Sequence, residues 1–331
     1  MDKKFSPAKD SIQALLKALL EANEQPIKKL VTHNHPDDDA WACLWMAKRF
    51  FPRAKDAEIV FVNSGEILPG TEDNPSVLHF DTGLGKFDQH SKGIERGCSA
   101  TLLLSSIDKK EWPHFKTIID LAVATDNIDP LPHHSSHFVI SGYSHSFKEK
   151  DKVDWKKVQE RVFEIFDILY GQEKERNNSK LVFERINSMT ILPNGIKVAS
   201  ILWNPRCREA AFEAGADVVI WTQKKGNRFY TGIQSNRKYP VYLDKVVSVL
   251  RIEELFQRKD QRKVESFHAI IRSYDGDPWF LHDSKRLILN GSYSHELKEG
   301  EFTVLSPDRI VGKVQRALSN IPVETVSSWR E

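Results

Sequence analysis

Leu30-Val31-Thr32-His33-Asn34-His35-Pro36-Asp37-Asp38-Asp39-Ala40-Trp41-Ala42-Cys43 joins an apolar run to an amphipathic one through a loop of imidazoles and carboxylates. Leu30 to Thr32 reads as the end of a buried strand. Ala40 to Phe50 carries Leu44, Trp45, Ala47 and Phe50 at helical spacing, so the loop falls at a strand-to-helix junction. In open α/β sheets such junctions are where ligands bind. Two readings of the acids compete here. Asp37 to Asp39 can cap the helix, since carboxylates favour first turns, or they can hold hard divalent cations. His33, at a fixed offset before Pro36-Asp37, and single acids further on at Asp81 and Asp126 favour the cations.

Outward from this loop, strand and helix signals alternate. Strands are expected at Lys29 to Thr32, Glu58 to Asn63 and Ser76 to Asp81, and helices at Ser99 to Ile107 and Phe115 to Thr125. An N-terminal helix is expected over Ser11 to Glu24, with Ile12, Leu15, Leu16, Leu19 and Leu20 on one stripe. The alternation predicts an α/β fold on a doubly wound, mostly parallel sheet, followed by a second, smaller α/β or α+β lobe. The expected division is a metal-binding catalytic domain over 1–147, a helical linker over 148–185 and a substrate-binding lobe over 186–331. Within the linker, Trp155, Val158, Val162, Ile165, Phe166 and Leu169 mark a helix, and the polar Gly171 to Ser179 reads as a mobile stretch. The second lobe is expected to hold strands near 196–203, 217–222 and 229–235, and helices near 205–214, 243–250 and 307–319.

The chain of 331 residues is long enough for two ordinary domains. Its 48 basic and 46 acidic side chains leave a formal charge of +2, which announces no polyanion partner through a global field. Cys43, Cys98 and Cys207 lack metal-ligand spacing and cannot all pair, so they read as free thiols in a reducing cytoplasm. No span has the apolar length of a membrane helix and the N-terminus has no secretion-signal core, so no membrane partner is expected.

Strand alternation places Val77, His79 and Asp81 on one face, with Asp81 emerging at the carboxyl end beside the first loop. A turn aspartate is the plainer reading of that segment alone. In Lys86-Phe87-Asp88-Gln89-His90, Asp88 is placed to orient an imidazole, or His90 to face a phosphate oxygen. Asp126 ends an apolar helix.

In that order these pieces resemble the four-motif layout of the DHH phosphoesterase superfamily. Phe87-Asp88-Gln89-His90, Asp126-Asn127 and Phe280-Leu281-His282 also resemble its MYG exonuclease branch. The resemblance covers roughly residues 28 to 130 with specific motifs and the rest loosely. It implies a two-domain enzyme that uses two ions of manganese or magnesium to hydrolyse phosphoesters. His33, Asp37 and Asp39 would be ligands, Asp81 would bridge the ions, and Asp126 would ligate from the fourth motif. His90 matches the second histidine of the family's block, and Gln89 stands where the first would be. The ligand there would be the Gln89 amide oxygen, or His35 or His79 in its place. His90 would stabilise developing charge or assist the leaving group, with Asp88 beside it.

In the second lobe His282, Lys285, Arg286, Asn290, Gly291 and Ser292 are candidates to hold a distal phosphate, against the plainer reading of a hairpin turn with a solvated basic face. Arg206, Arg208, Lys224, Lys225, Arg228, Arg237 and Lys238, interleaved with Trp203, Trp221, Phe229 and Tyr230, form either a stacking surface for single strands or strand core. His133, His134, His137 and His145 follow Pro130 and Pro132 and are expected in a flexible, partly exposed loop, against the alternative of an extra metal site.

The function expected is a phosphodiesterase of short oligonucleotides or single-stranded nucleic acid, a 3′-to-5′ exonuclease by resemblance. The alternatives are hydrolysis of pyrophosphate, polyphosphate or a cyclic dinucleotide, or a non-catalytic nucleotide binder. Expected partners are single-stranded nucleic acid or a small phosphate compound, with a homodimer as the candidate assembly.

Overall fold

The computed structural model describes residues 25–72, 74–90, 96–149, 152–186, 188–239, 241–259, 277–292 and 296–328. The helix expected over Ser11 to Glu24 and the segment Tyr293 to His295 lie outside them. Two compact units divide the chain, residues 1–175 and 176–331.

In the first unit, strands β1 (Lys29–His33), β2 (Glu58–Val62) and β3 (Val77–His79) form a parallel sheet in the order β2-β1-β3. The sheet is parallel, as the alternation predicts, but only three strands wide among the described residues. Among the described residues between β2 and β3 there is no helix, so the doubly wound crossover expected there is not seen. Helix α1 (Asp38–Phe50) leaves the end of β1 and is buried along almost its whole first three turns, from Asp38 to Ala47. A helix that is apolar all round must be covered on all sides. Around α1 lie α2 (Ser99–Leu104), α3 (Lys116–Asp126), and the aromatic rings of Phe115, Phe163 and Phe166. Trp45 is 1% exposed, and its indole N–H donates to Asp167 Oδ1 at 2.9 Å, which satisfies its one polar atom.

Helix α4 (Ser136–Ser146) departs from the expectation of a loop over His137 to His145. The prolines at 130 and 132 end only the preceding segment, and a new helix starts after Ser135. Two short strands, β4 (Lys148–Glu149) and β5 (Lys152–Val153), pair antiparallel before helix α5 (Trp155–Ile186). The polar stretch from Gly171 to Ser179, expected as mobile, is continuous helix. Its Glu, Lys, Arg and Gln residues are strong helix formers, and Glu173 accepts from Thr117 Oγ1 at 2.5 Å. Arg176 and Lys180, one helical turn apart, both reach Glu213, at 2.7 and 2.8 Å.

The second unit holds β6 (Met189–Ile191), β7 (Lys197–Ile201), β8 (Val218–Lys225), β9 (Arg228–Ser235), β10 (Phe280–Leu281) and β11 (Leu287–Asn290). Among the described residues they form a six-stranded mixed sheet in the order β10-β11-β9-β8-β7-β6. Only β7 and β8 run parallel, with helix α6 (Arg208–Glu213) in the crossover between them. Helices α7 (Asp244–Gln257) and α8 (Pro307–Ser319) pack on its core residues Val218, Ile220, Ile233 and Ile288, and α9 (Val323–Ser328) follows. The three cysteines are free and buried. Among the described residues no helix is long and apolar enough to cross a membrane.

Candidate metal centre

The parallel pairing of β1 and β3 sets Lys29 opposite Val77 and Val31 opposite His79. The pairing ends there, and His33 and Asp81 meet just past it, at the carboxyl ends of neighbouring strands. His33 Nε2 lies 3.1 Å from Asp81 Oδ2. Asp81 has φ of 51°, a conformation strained for a non-glycine residue, as does His35 at 56°. Strand β3 ends at His79, so Asp81 is aimed by this left-handed turn rather than by strand alternation.

Asp37 serves both competing readings. It is the N-cap of α1, its Oδ1 accepting from the Ala40 amide at 3.0 Å, and it also joins His33 and Asp81 in a group whose ligand atoms all lie within 4.8 Å of one another. A second such group is Asp81, His90 and Asp126, so Asp81 belongs to both. The donor set of the first group, an imidazole and two carboxylates, suits a hard divalent cation.

Asp39 belongs to neither group. It is fully buried, and its two oxygens accept from the Ser99 and Ala100 amides, each at 2.8 Å, at the N-terminus of α2. Asp88, 1% exposed, accepts from the amides of Leu84 and His90 at 2.9 and 3.0 Å and so shapes its own loop rather than the His90 ring. The His90 side chain is 63% exposed, with Nε2 3.6 Å from Asp81 Oδ1. His79 accepts from the Leu68 amide at 3.1 Å, and the His35 ring meets Trp155 edge-on, so neither offers a ligand to these groups.

Gln89 turns its nitrogen, not its oxygen, towards the acids. Nε2 donates to Asp126 Oδ1 at 2.9 Å and to Asp81 Oδ1 at 3.3 Å, and lies 3.2 Å from His90 Nε2. Ser99 Oγ donates to Oε1 from the other side at 2.5 Å. Nothing in the sequence around Ser99 marked that contact.

The electrostatics follow from crowding four acids into low-dielectric space. Burial opposes charge on His33, but the hydrogen bond to Asp81, the Asn34 carbonyl and the nearby Asp37 together raise its pKa to about 9. Burial, then the Asp81 charge, lifts Asp39 to about 8 and Asp126 to about 6. The same two causes raise Asp37. A divalent ion would remove this strain by favouring every ionised carboxylate.

Sequence reasoning missed a second polar arrangement beside the centre. Asp38, 2% exposed, accepts from Thr125 Oγ1 at 2.8 Å, and its Oδ2 lies 2.6 Å from His137 Nδ1. Asp38 and His137, with His35, Asp37, His145 and Trp155, border a cavity of about 230 Å³. The only available signal was the serine pair before His137, which suits a helix start.

In the second unit, Arg206, Arg208, Trp221, Tyr230, Gly291 and Ser292 line a cavity of about 390 Å³, and the Arg208 guanidinium lies 5.3 Å from the Trp221 ring centre. The other phosphate candidates separate from it. Asn290 is fully buried, its amide donating to the carbonyls of Pro278 and Glu301 and its oxygen accepting from the Thr303 amide. That satisfies the side chain within the core rather than at the cavity. Arg286 donates to Ser235 Oγ and the Asn236 carbonyl, Lys285 pairs with Asp244, and His282 lies 2.9 Å from Ser284 Oγ.

No protein-family model matches the chain, and no curated protein does. Among solved structures it is similar to a pGpG-specific phosphodiesterase, PggH, from Vibrio cholerae, at 10% identity and a TM-score of 0.30, over 73% of this chain and 98% of that one. It is also similar to an exopolyphosphatase-related protein from Bacteroides fragilis, at 10% identity and a TM-score of 0.22, over 96% of this chain and 98% of that one. TM-scores this low establish no shared fold.

Proposed function

We propose that the protein is a divalent-metal-dependent phosphodiesterase acting on short single-stranded oligonucleotides, with attack from the 3′ end as the mode that its likeness to the MYG branch adds. The reading is carried by one observation: His33, Asp37 and Asp81 bring an imidazole and two carboxylates within 4.8 Å of one another. Manganese or magnesium bound there supplies positive charge against phosphoryl oxygens and lowers the pKa of an attacking water. Asp37 is held for this task by its cap on α1, and His33 by its place at the end of a buried strand. His90, exposed beside Asp81, is placed to donate a hydrogen bond to a phosphoryl or leaving oxygen.

A nucleotide substrate suits the basic cavity of the second unit. Arg206 and Arg208 there offer forked donors for phosphate, and the half-buried Trp221 ring lies under the Arg208 guanidinium. Labelled dinucleotides and longer RNA and DNA, incubated with manganese and with chelator, test the proposal. Manganese-dependent shortening is expected. Release of phosphate from pyrophosphate or polyphosphate, with every oligonucleotide left intact, would overturn it.

A further inference from the structure

The group formed by Asp81, His90 and Asp126 has something at its centre already. One atom, Gln89 Nε2, contacts all three: 2.9 Å to Asp126 Oδ1, 3.3 Å to Asp81 Oδ1 and 3.2 Å to His90 Nε2. An amide nitrogen is a donor with no lone pair to give a metal. Hard cations need carboxylate oxygens at roughly 2.0 to 2.6 Å, and the nitrogen stands against the same oxygens that such an ion would take. We propose that the Gln89 carboxamide replaces the second cation of a paired site, so that the chain binds one exchangeable divalent ion, at His33, Asp37 and Asp81. This inference rests on the reading of those three residues as a cation group.

The amide is fixed on both sides. Gln89 is 6% exposed, and its oxygen accepts from Ser99 Oγ at 2.5 Å. Ser99 is itself immobilised, fully buried, with its amide donating to Asp39 Oδ2 at 2.8 Å. Which end of an amide faces which neighbour is decided by its hydrogen bonds. Without an ion the neighbours favour this end, since turning the side chain over would set its oxygen against two carboxylates. The NH₂ group offsets their repulsion without carrying a full charge, which is part of what a cation would do. A second ion would have to displace two hydrogen bonds to carboxylates and accept a neutral amide oxygen in place of an imidazole. Losing those bonds weakens the second position by at least about a hundredfold relative to the first.

The test counts ions rather than turnover. The full chain is stripped with chelator and titrated with manganese by calorimetry, and electron paramagnetic resonance then reports whether bound ions are magnetically coupled. Wild type is expected to bind one manganese with the spectrum of an isolated ion. Gln89→His is expected to bind two that are coupled. Two tightly held, coupled ions in wild type would overturn the inference, as would a folded Gln89→His protein that still binds one. A wild type that binds none sinks this inference and the proposed function together. One bound ion without hydrolysis of any phosphodiester sinks only the latter.

Discussion

His137 Nδ1 and Asp38 Oδ2 stand 2.6 Å apart, across 99 positions of sequence, and join the first turn of α4 to the first turn of α1. Asp38 has one other partner for that oxygen, Thr125, and its Oδ1 is buried with no partner among the described residues. Removing the imidazole therefore leaves a buried carboxylate with a single hydroxyl. His137→Ala should destabilise the protein by about 2 to 3 kcal/mol, below the full value for a buried pair because the histidine is partly exposed. His137→Gln keeps a donor and should recover part of the loss. Urea unfolding of both variants checks this, and midpoints equal to wild type would show that the contact is idle.

Stability in the absence of metal should fall as pH rises. His33, raised from 6.5 to about 9, favours folding while it is protonated, an advantage complete below its ordinary value and lost as pH climbs through 9. Asp39 and Asp126, raised from 3.8 to about 8 and about 6, hold protons that the unfolded chain has released, so each also weakens folding as pH rises between its two values. All three slopes have the same sign. Urea midpoints in chelator should correspond to a loss of more than about 1 kcal/mol between pH 6 and pH 9. Manganese, which needs the deprotonated ligands, should flatten or reverse the trend. A flat profile in chelator would contradict the electrostatic account.

The gathering of His33, Asp37 and Asp81 was legible in the sequence, because residues at a strand end have local spacing. His33 and Asp37 come from one loop, and Asp81 follows a recognisable strand. What stayed hidden depends on contacts between distant segments. Gln89 was read as an oxygen ligand, and only the positions of Asp126 and Ser99 show which end of its amide faces the acids. Asp39 looked like a ligand equal to Asp37, yet two amides of α2, some sixty residues on, claim both its oxygens. Asn290, a phosphate candidate by its place beside a glycine in a polar turn, is instead buried with three hydrogen bonds to the core backbone. Fold class fared similarly: strand and helix positions carried local signals, but the narrow first sheet and the antiparallel order of the second did not.

Asp37 and Asp39 should part company under mutation. Asp39→Ala leaves two buried amides at the start of α2 without acceptors, which should cost about 2 to 4 kcal/mol, with chelator present as well as without. Asp37→Asn keeps an oxygen for the Ala40 amide and should leave stability in chelator within about 1 kcal/mol of wild type. Its manganese affinity should nevertheless fall by more than about tenfold, the scale that even outer partners of a metal command. Calorimetric titration beside urea unfolding separates the two roles, and equal losses of stability would argue that both acids are simply structural.

Gly291 is a point at which the second unit depends on a missing side chain. Its φ of 79° disfavours any Cβ, and a Cβ built there would lie 2.2 Å from Tyr230 Cδ1. The tyrosine cannot readily give way, since it is 7% exposed and stacked on Phe302 with ring centres 5.8 Å apart. Gly226 provides the control, with φ of 59° and nothing within 4 Å of a built Cβ. Gly226→Ala should cost about 1 kcal/mol, the backbone penalty alone, and Gly291→Ala about 2 to 4 kcal/mol, because overpacking adds to it. Both glycine and tyrosine border the cavity of Arg206 and Trp221, so Gly291→Ala should also weaken oligonucleotide binding while manganese binding by the first unit is unchanged. Equal unfolding midpoints for the two variants would mean that the Tyr230 ring moves aside freely, and the shape of that cavity could not then be a fixed feature of recognition.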